Sequence, residues 1–149
     1  MNNERIILVG GGDFSRELFA WSKFVFQSTN KRIVGYIDDT GPTELSCDIH
    51  GLEYFGKTVS YVPSSGDRFI WAIGSIQAKE ELLSVLLERG FIFIELIHPT
   101  AVIADTARIG MGAVMCPYSS ISAGATIGNF VTINAFCSIG HDVEVGDNC

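Results

Sequence analysis

His141 followed by Asp142 is the pair of side chains in this sequence best suited to moving a proton. Histidine is the residue that most readily accepts a proton near neutral pH, and a neighbouring carboxylate can hold the ring in one tautomer and stabilise the imidazolium. The alternative for His141 is an exposed turn histidine with no chemical role. Asn134 lies a short way upstream and is a further polar candidate, although asparagine equally suits a plain turn because it tolerates left-handed backbone.

A second group of candidates shares one property, a place at the carboxyl end of a predicted strand. Strands are predicted at RIILVG (5–10), RIVGYI (32–37) and RFIWAIG (68–74), and parallel α/β sheets bind ligands beyond that edge. The candidate binding residues are Gly10, Gly11, Gly12, Phe14, Asp38, Asp39, Gly74 and Ser75.

The glycine loop approaches the dinucleotide fingerprint, with Ser15 in the place of the last glycine, and acidic residues after the second strand would suit a ribose hydroxyl. A single nucleotide or a nucleotide-sugar fits the small size of the predicted domain better than a dinucleotide. A tight turn with no ligand also remains open from these residues alone.

The elements that must position these residues alternate between strand and helix. Helices are predicted from Phe14 to about Phe26 and over Ile76–Arg89, a fourth strand over Phe91–Ile94, and at most a short strand near Leu52–Phe55. This alternation predicts a parallel sheet with right-handed crossovers. We therefore expect a small Rossmann-like α/β domain over residues 1–94.

The rest of the chain has a six-residue period that neither a helix nor a plain strand produces. Every sixth position is aliphatic and, two residues earlier, mostly small, and glycine recurs just after the aliphatic residue. A fixed hexapeptide period is typical of a parallel β-helix, in which three sides close a coil of about 18 residues. We expect the aliphatic and small residues to point inward, and the glycines to serve the turns because glycine adopts positive φ without cost. The aliphatic series is Ile97, Ile103, Ile109, Met115, Ile121, Ile127, Ile133, Ile139 and Val145.

Residues 95–149 are thus expected to begin a left-handed β-helix, from whose outer wall His141 projects. The sequence stops at Cys149 inside a repeat, without a capping segment, so we expect a truncated piece of a longer protein.

Composition excludes several classes of function. The chain has 149 residues, of which 47% are hydrophobic, so it is expected to be globular. Its net charge of −7 argues against a nucleic-acid partner. No membrane span or signal peptide is recognisable, and the three histidines lack metal-ligand spacing, so we expect no membrane association and no metal. The cysteines form no C-x-x-C pair and are expected to be reduced thiols in a cytoplasmic protein: Cys47, Cys116, Cys137 and Cys149.

The segments GGGDFSREL, VGYIDD, AIGS, LIHPTAVI and INAFCSIGHDVEVGDN, in this order, resemble the sugar acyltransferases that include sialic acid O-acetyltransferases and N-acetyltransferases of UDP- or dTDP-linked 4-amino sugars. The resemblance covers the whole chain. It implies a homotrimer in the complete protein, acetyl-CoA as cosubstrate in a groove between neighbouring β-helices, and a nucleotide-sugar held by the first domain. It also implies that His141 is the catalytic base, with Asp142 beside it and Asn134 as the matching family asparagine.

The sequence departs from the family pattern at Asp13, which stands where a glycine is usual and whose carboxylate would repel a pyrophosphate unless it points to solvent or pairs with Arg16. The family also has further coils, so we expect this length of chain to be inactive alone. Two other functions stay open: a non-catalytic nucleotide-sugar-binding and trimerisation module, and a fragment of an NAD(P)-dependent oxidoreductase.

Overall fold

The computed structural model describes residues 4–43 and 51–149. It divides into two compact units, Met1–Phe93 and Ile94–Cys149. Cys47 and His50 lie outside the described residues.

The first unit contains a parallel sheet of four strands, β1 (Arg5–Val9), β2 (Ile33–Ile37), β3 (Glu53–Tyr54) and β4 (Asp67–Trp71). Their order in the sheet is β3-β2-β1-β4. Strand β1 is apolar and fully buried from Ile6 to Val9, as expected for a parallel strand covered on both faces. The predicted strand over Phe91–Ile94 is wrong. Only a single bridge joins Phe93 to Phe69 there, alongside ring contacts within a cluster of phenylalanines.

Two helices follow strands of this sheet, α1 (Asp13–Val25) after β1 and α2 (Ile76–Glu88) after β4. Helix α2 buries Leu83 and Leu86, whereas Leu87 is exposed. Helix α1 buries two serines besides Leu18. One of them, Ser15, donates its hydroxyl to the carbonyls of Gly10 and Ala72, at 2.8 and 3.1 Å. This bond joins the helix to the ends of β1 and β4.

The second unit is a left-handed parallel β-helix, as the hexad predicts. Strands of two residues pair in parallel with a register offset of 18 residues, for example Thr126 with Arg108 and with Glu144. The strands are β5 (Leu96–Ile97), β6 (Val102–Ile103), β7 (Arg108–Ile109), β8 (Val114–Met115), β9 (Ser120–Ile121), β10 (Thr126–Ile127), β11 (Thr132–Ile133), β12 (Ser138–Ile139) and β13 (Glu144–Val145). They form three sheets, in the orders β5-β8-β11, β6-β9-β12 and β7-β10-β13.

The aliphatic and small positions of the hexad do point inward. The core of the β-helix contains Met115, Ile121, Ile127 and Ile133, with the small residues between them and the remaining members of the series packed against it. Burial of this ladder is the main favourable term that the hexad contributes to folding.

The expectation that the recurring glycines supply the left-handed corners is wrong. Positive φ occurs two residues later, in each hexad from residue 112 onward, and there mostly at residues other than glycine: Gly112, Tyr118, Gly124, Phe130, Phe136, Asp142 and Asn148. Gly110 and Gly128 are needed for a different reason, because a Cβ on either would overlap the backbone of the next coil. At these positions glycine therefore allows coils to stack closely.

Corner residues separated by one coil lie over one another. The rings of Tyr118 and Phe136 stack with centroids 5.1 Å apart and planes 16° from parallel. Gly112 makes room for the ring of Phe130 in the same way. The surroundings of a corner side chain are therefore set by the residue 18 positions earlier.

Candidate functional site

The first unit has a cleft of about 440 Å³ at the carboxyl ends of β1, β2 and β4. It brings together most of the predicted binding residues: Gly10, Gly11, Gly12, Phe14, Asp38, Asp39 and Gly74. Thr40, Thr43, Thr58, Ile73 and Leu82 also line it and were not predicted, because they follow no recognisable motif. Ser75 is not among the lining residues. Its hydroxyl accepts the N–H of Ala78 at 3.2 Å and caps α2.

The glycine loop is tight at two of its three positions. Gly10 has a φ of 112°, and a Cβ there would lie 2.6 Å from Cγ1 of Ile73. A Cβ on Gly11 would lie 2.7 Å from the ring of Tyr36. Gly12 has no atom within 4 Å of that position, so its lack of a side chain only keeps the cleft open.

Asp38 ties the glycine loop to the turn after β2. One carboxylate oxygen accepts the N–H of Gly11 at 2.7 Å, and the other accepts the N–H and hydroxyl of Thr40 at 2.8 and 2.5 Å. Burial and the nearby charges of Asp38 and Asp39 raise the pKa of Tyr54, so its hydroxyl stays protonated and donates to the Asp38 carbonyl at 2.9 Å. Asp38 is thus largely occupied by the protein's own donors.

Asp39 is the more available of the two acidic residues. It is exposed, and one of its oxygens accepts the N–H of Val59 at 3.1 Å. The other oxygen is placed to accept a hydroxyl or amine from a ligand in the cleft.

The N-terminus of α1 opens into the same cleft. The helix begins at Asp13 without a side-chain cap, so the N–H groups of its first turn remain suited to an anion. The Asp13 carboxylate does not occupy them, since it is 99% exposed and pairs with Arg16 at 3.2 Å. Asp13 thus both points to solvent and pairs with Arg16, and either of these makes it compatible with a bound phosphate.

The second unit carries the His141–Asp142 pair at a corner between β12 and β13. Nδ1 of His141 lies 2.9 Å from Oδ2 of Asp142. A carboxylate only accepts, so Nδ1 donates and Nε2 of the neutral ring is left as the acceptor. The two side chains are 83% and 78% exposed, so Nε2 is accessible to a ligand.

Asn134 begins the corner that precedes β12. Its backbone carbonyl accepts the N–H of Cys137 at 3.2 Å, and its side chain is exposed. This contact is that of a turn residue, and a role for the amide in binding or catalysis stays a prediction.

His98 makes local hydrogen bonds to Thr100. Its Nδ1 accepts the N–H of Thr100 at 3.2 Å and lies 2.8 Å from the Thr100 hydroxyl. Burial lowers the pKa of His98, so the ring is neutral at pH 7. Among residues 4–43 and 51–149, His, Cys, Asp and Glu side chains form no cluster suited to a metal ion. Over the same residues, neither helix has the length and apolar character to cross a bilayer.

Comparison with known proteins identifies one sequence family and several similar structures. Residues 124–149 match the bacterial transferase hexapeptide model, which comprises six repeats. No curated protein sequence matches the chain.

The similar structures share the fold over nearly all of this chain. The acetyltransferase domain of PglB from Neisseria gonorrhoeae FA1090 superposes with a TM-score of 0.82 and 19% identity, covering 98% of this chain and 69% of that one. That domain has also been solved in complex with acetyl coenzyme A. WeeI from Acinetobacter baumannii AYE gives 0.81 and 23%, covering 97% and 68%.

A histidine-to-asparagine variant of perosamine N-acetyltransferase from Caulobacter crescentus, in complex with CoA and GDP-perosamine, gives a TM-score of 0.82 and 20% identity, covering 97% of this chain and 66% of that one. The chain therefore spans about two thirds of the length of these proteins. At such identities the likeness shows the fold.

Proposed function

We propose that this chain belongs to an acetyl-CoA-dependent sugar acetyltransferase, in which His141 is the general base. The observation that carries the proposal is the exposed Nδ1–carboxylate contact of 2.9 Å at a β-helix corner. It occurs in a fold shared with an N-acetyltransferase solved with CoA and a nucleotide-sugar.

The chemistry assigned to His141 is proton removal from the acceptor. Nε2 takes a proton from the sugar amine or hydroxyl as that group attacks the thioester carbonyl, and the carbonyl electrons move onto oxygen. Collapse of the tetrahedral intermediate forms the amide or ester and expels the thiolate of CoA, which takes the proton from the imidazolium. Asp142 keeps the proton of the neutral ring on Nδ1 and stabilises the cation.

Backbone donors for the developing oxyanion must come from groups not already used in the coil stack. The N–H groups of Gly110 and Gly128 donate to the carbonyls of Ile127 and Val145, at 2.8 and 2.9 Å. These coil-stacking bonds occupy both N–H groups, so neither glycine is assigned as the oxyanion donor.

We further propose that the first unit is a Rossmann-like domain that binds the nucleotide part of the sugar substrate. A phosphate fits the uncapped first turn of α1, and a ribose or base hydrogen-bonds to the open oxygen of Asp39. Gly74 and Phe14 supply apolar lining. Ser75 supports this cleft by starting α2.

The cosubstrate and the assembly follow from the same proposal. Acetyl-CoA would lie along the outer wall of the β-helix, and a homotrimer would form the groove that holds it. These are features of the complete protein in its cytoplasmic setting, in which Asn134 is proposed as a further catalytic residue beside His141 and Asp142.

The test measures release of CoA thiol, and the mass of the sugar product, for the protein as encoded in its genome. The substrates are acetyl-CoA and a panel of UDP-, dTDP- and GDP-linked 4-amino sugars. Replacing His141 with alanine should lower kcat about 10²- to 10⁴-fold, the usual contribution of a general base. Glu144→Gln is the matched control, because Glu144 is an exposed carboxylate on the following strand. Near-normal turnover of the His141 variant would exclude it as the base.

A non-catalytic nucleotide-sugar-binding and trimerisation module is the second candidate, favoured by the cleft of the first unit, whose described lining residues include neither His141 nor Asp142. It predicts a thermal shift with nucleotide-sugars and none with acetyl-CoA. A shift with both ligands, together with turnover, excludes it.

A further inference from the structure

We propose that Gly124 is a positioning residue: its missing side chain forms the seat in which the Asp142 carboxylate rests while it holds Nδ1 of His141. The catalytic consequence rests on the proposed function, whereas the seat itself is a property of the fold. Gly124 lies in a different hexad from the dyad and was not among the candidates from sequence.

Gly124 and Asp142 occupy the same corner in successive coils. Both have left-handed backbone, with φ of 72° and 59°. A Cβ built on Gly124 would overlap Oδ1 of Asp142 and lie 3.3 Å from its Cγ. The carboxylate therefore occupies the space that any other residue at 124 would fill.

Backbone hydrogen bonds fix both levels of this corner. Asp142 donates its N–H to the carbonyl of Ala123 at 3.0 Å. Gly124 donates its own N–H to the hydroxyl of Thr106, one coil earlier, also at 3.0 Å. Because neither level can slide, a side chain at 124 would have to be accommodated by rotation of the Asp142 carboxylate.

The carboxylate has little else to hold it in place. Within the part of the chain that the structure describes, its recorded hydrogen-bond partner is Nδ1 of His141, and both side chains are mostly exposed. Water competes well with an exposed contact of this kind. The side chain is kept near the ring because Oδ1 rests over Gly124 while Oδ2 faces Nδ1.

A second corner of the same β-helix supplies a matched control. Gly112 also has a left-handed φ, of 66°, and a Cβ on it would lie 2.5 Å from the ring of Phe130, one coil later. Gly112→Ala and Gly124→Ala therefore introduce the same backbone strain and a similar overlap. Only Gly124→Ala does so next to His141.

The experiment observes the His141 ring directly in ¹⁵N-labelled protein, by two-bond ¹⁵N–¹H correlation at about pH 8.5, where histidine is generally neutral. The wild type and Gly112→Ala should show the Nδ1–H tautomer. Gly124→Ala should shift the population toward the Nε2–H tautomer. Both alanine variants should melt lower by about 2–8 °C, as expected for an added left-handed alanine. An unchanged His141 signature in a folded Gly124→Ala would overturn the proposal.

The double variant Gly124→Ala/Asp142→Ala keeps the test decisive if the single variant does not fold. Removing the carboxylate relieves the overlap, so Gly124→Ala should cost less stability in the Asp142→Ala background than in the wild type, a comparison in which the left-handed alanine at 142 cancels. An equal cost in the two backgrounds would show that Asp142 is not seated on residue 124.

Turnover separates this proposal from the assignment of His141 as base. Gly124→Ala should lower kcat about 10-fold with little change in KM, since orientation of the base affects the chemical step. A wild type with the expected tautomer but no acetyl transfer would refute the proposed function and leave the seat intact. Normal kcat in a variant whose tautomer has shifted would refute the catalytic consequence alone.

Discussion

Replacing the recurring glycines of the hexad one at a time by alanine tests why glycine is used there. A Cβ on Gly110 would lie 2.5 Å from the carbonyl carbon of Gly128 and 2.6 Å from the nitrogen of Asn129. A Cβ on Gly128 would lie 2.7 Å from the nitrogen of Asp147. In contrast, a Cβ on Gly74, in the first unit, would have no atom within 4 Å.

The size of the effect follows from these distances. Carbon atoms pack best at about 3.5–4.0 Å, so an alanine at Gly110 or Gly128 requires successive coils to separate by about 1 Å. The obstructing atoms are backbone and cannot rotate away. We expect a cost of about 3 kcal/mol, the upper end for overpacking, which lowers Tm by about 6–12 °C for a chain of this size.

Gly74→Ala should behave in the opposite way. Gly74 has no left-handed φ, so alanine fits and restricts the unfolded chain, which stabilises by about 0.4–1 kcal/mol. The assay is a thermal melt followed by circular dichroism, with urea unfolding as a second measure. If all three variants lose the same stability, crowding between coils is not the reason for glycine.

Three further outcomes follow from polar contacts of the first unit. Burial and the hydrogen bond to Asp67 raise the pKa of Tyr61 to about 12, so the stability that the protonated hydroxyl contributes is complete below pH 10 and is lost between pH 10 and 12. In urea unfolding the wild type should lose at most about 2–3 kcal/mol over this range, and Tyr61→Phe should not show this loss. Equal losses in both proteins would contradict the assignment. Asp67→Asn should lower the unfolding free energy by about 2–3 kcal/mol at pH 7. Burial alone would raise the pKa of Asp67, but hydrogen bonds from the Ser64 N–H, the Tyr61 hydroxyl and the Arg5 guanidinium outweigh burial, and the pKa is lowered. In the wild type the stability contributed by the ionised Asp67 should therefore be lost as the pH falls below about 4. Asp38→Ala should lower the free energy of unfolding by about 1–3 kcal/mol. It should also weaken nucleotide-sugar binding, measured by calorimetry. Normal binding by the variant would show that Asp38 is not part of the site.

The repeat was predictable from sequence because its signal is local and periodic. Because every sixth side chain enters the core, the same residue type recurs at that position of each hexad. Met115, Ile121 and Ile127 are buried as this pattern predicts. The role of Gly110 and Gly128 was not predictable in the same way. It depends on which backbone atoms of another coil come close, and nothing in one hexad records that distance.

The α/β unit shows the same limit. The ends of its strands indicated which segments form the cleft, since parallel strands place them at one edge. The role of Asp38 depends on donors from Gly11 and Thr40 that become available only when the loops meet. Ser15 is buried in α1 for a similar reason, because its acceptors at Gly10 and Ala72 come from two different strands. Such contacts belong to tertiary structure.

The register of 18 residues has a consequence for how chains of this kind tolerate insertions and deletions. Adding or removing a whole coil ahead of Gly124 would return the dyad to the same edge of the β-helix, with Gly124 still one coil below Asp142. Loss of one hexad between Gly124 and the dyad would instead carry Asp142 to another edge, away from Gly124 and onto Tyr118. Length variation between the α/β unit and the dyad should therefore be accepted in whole coils only.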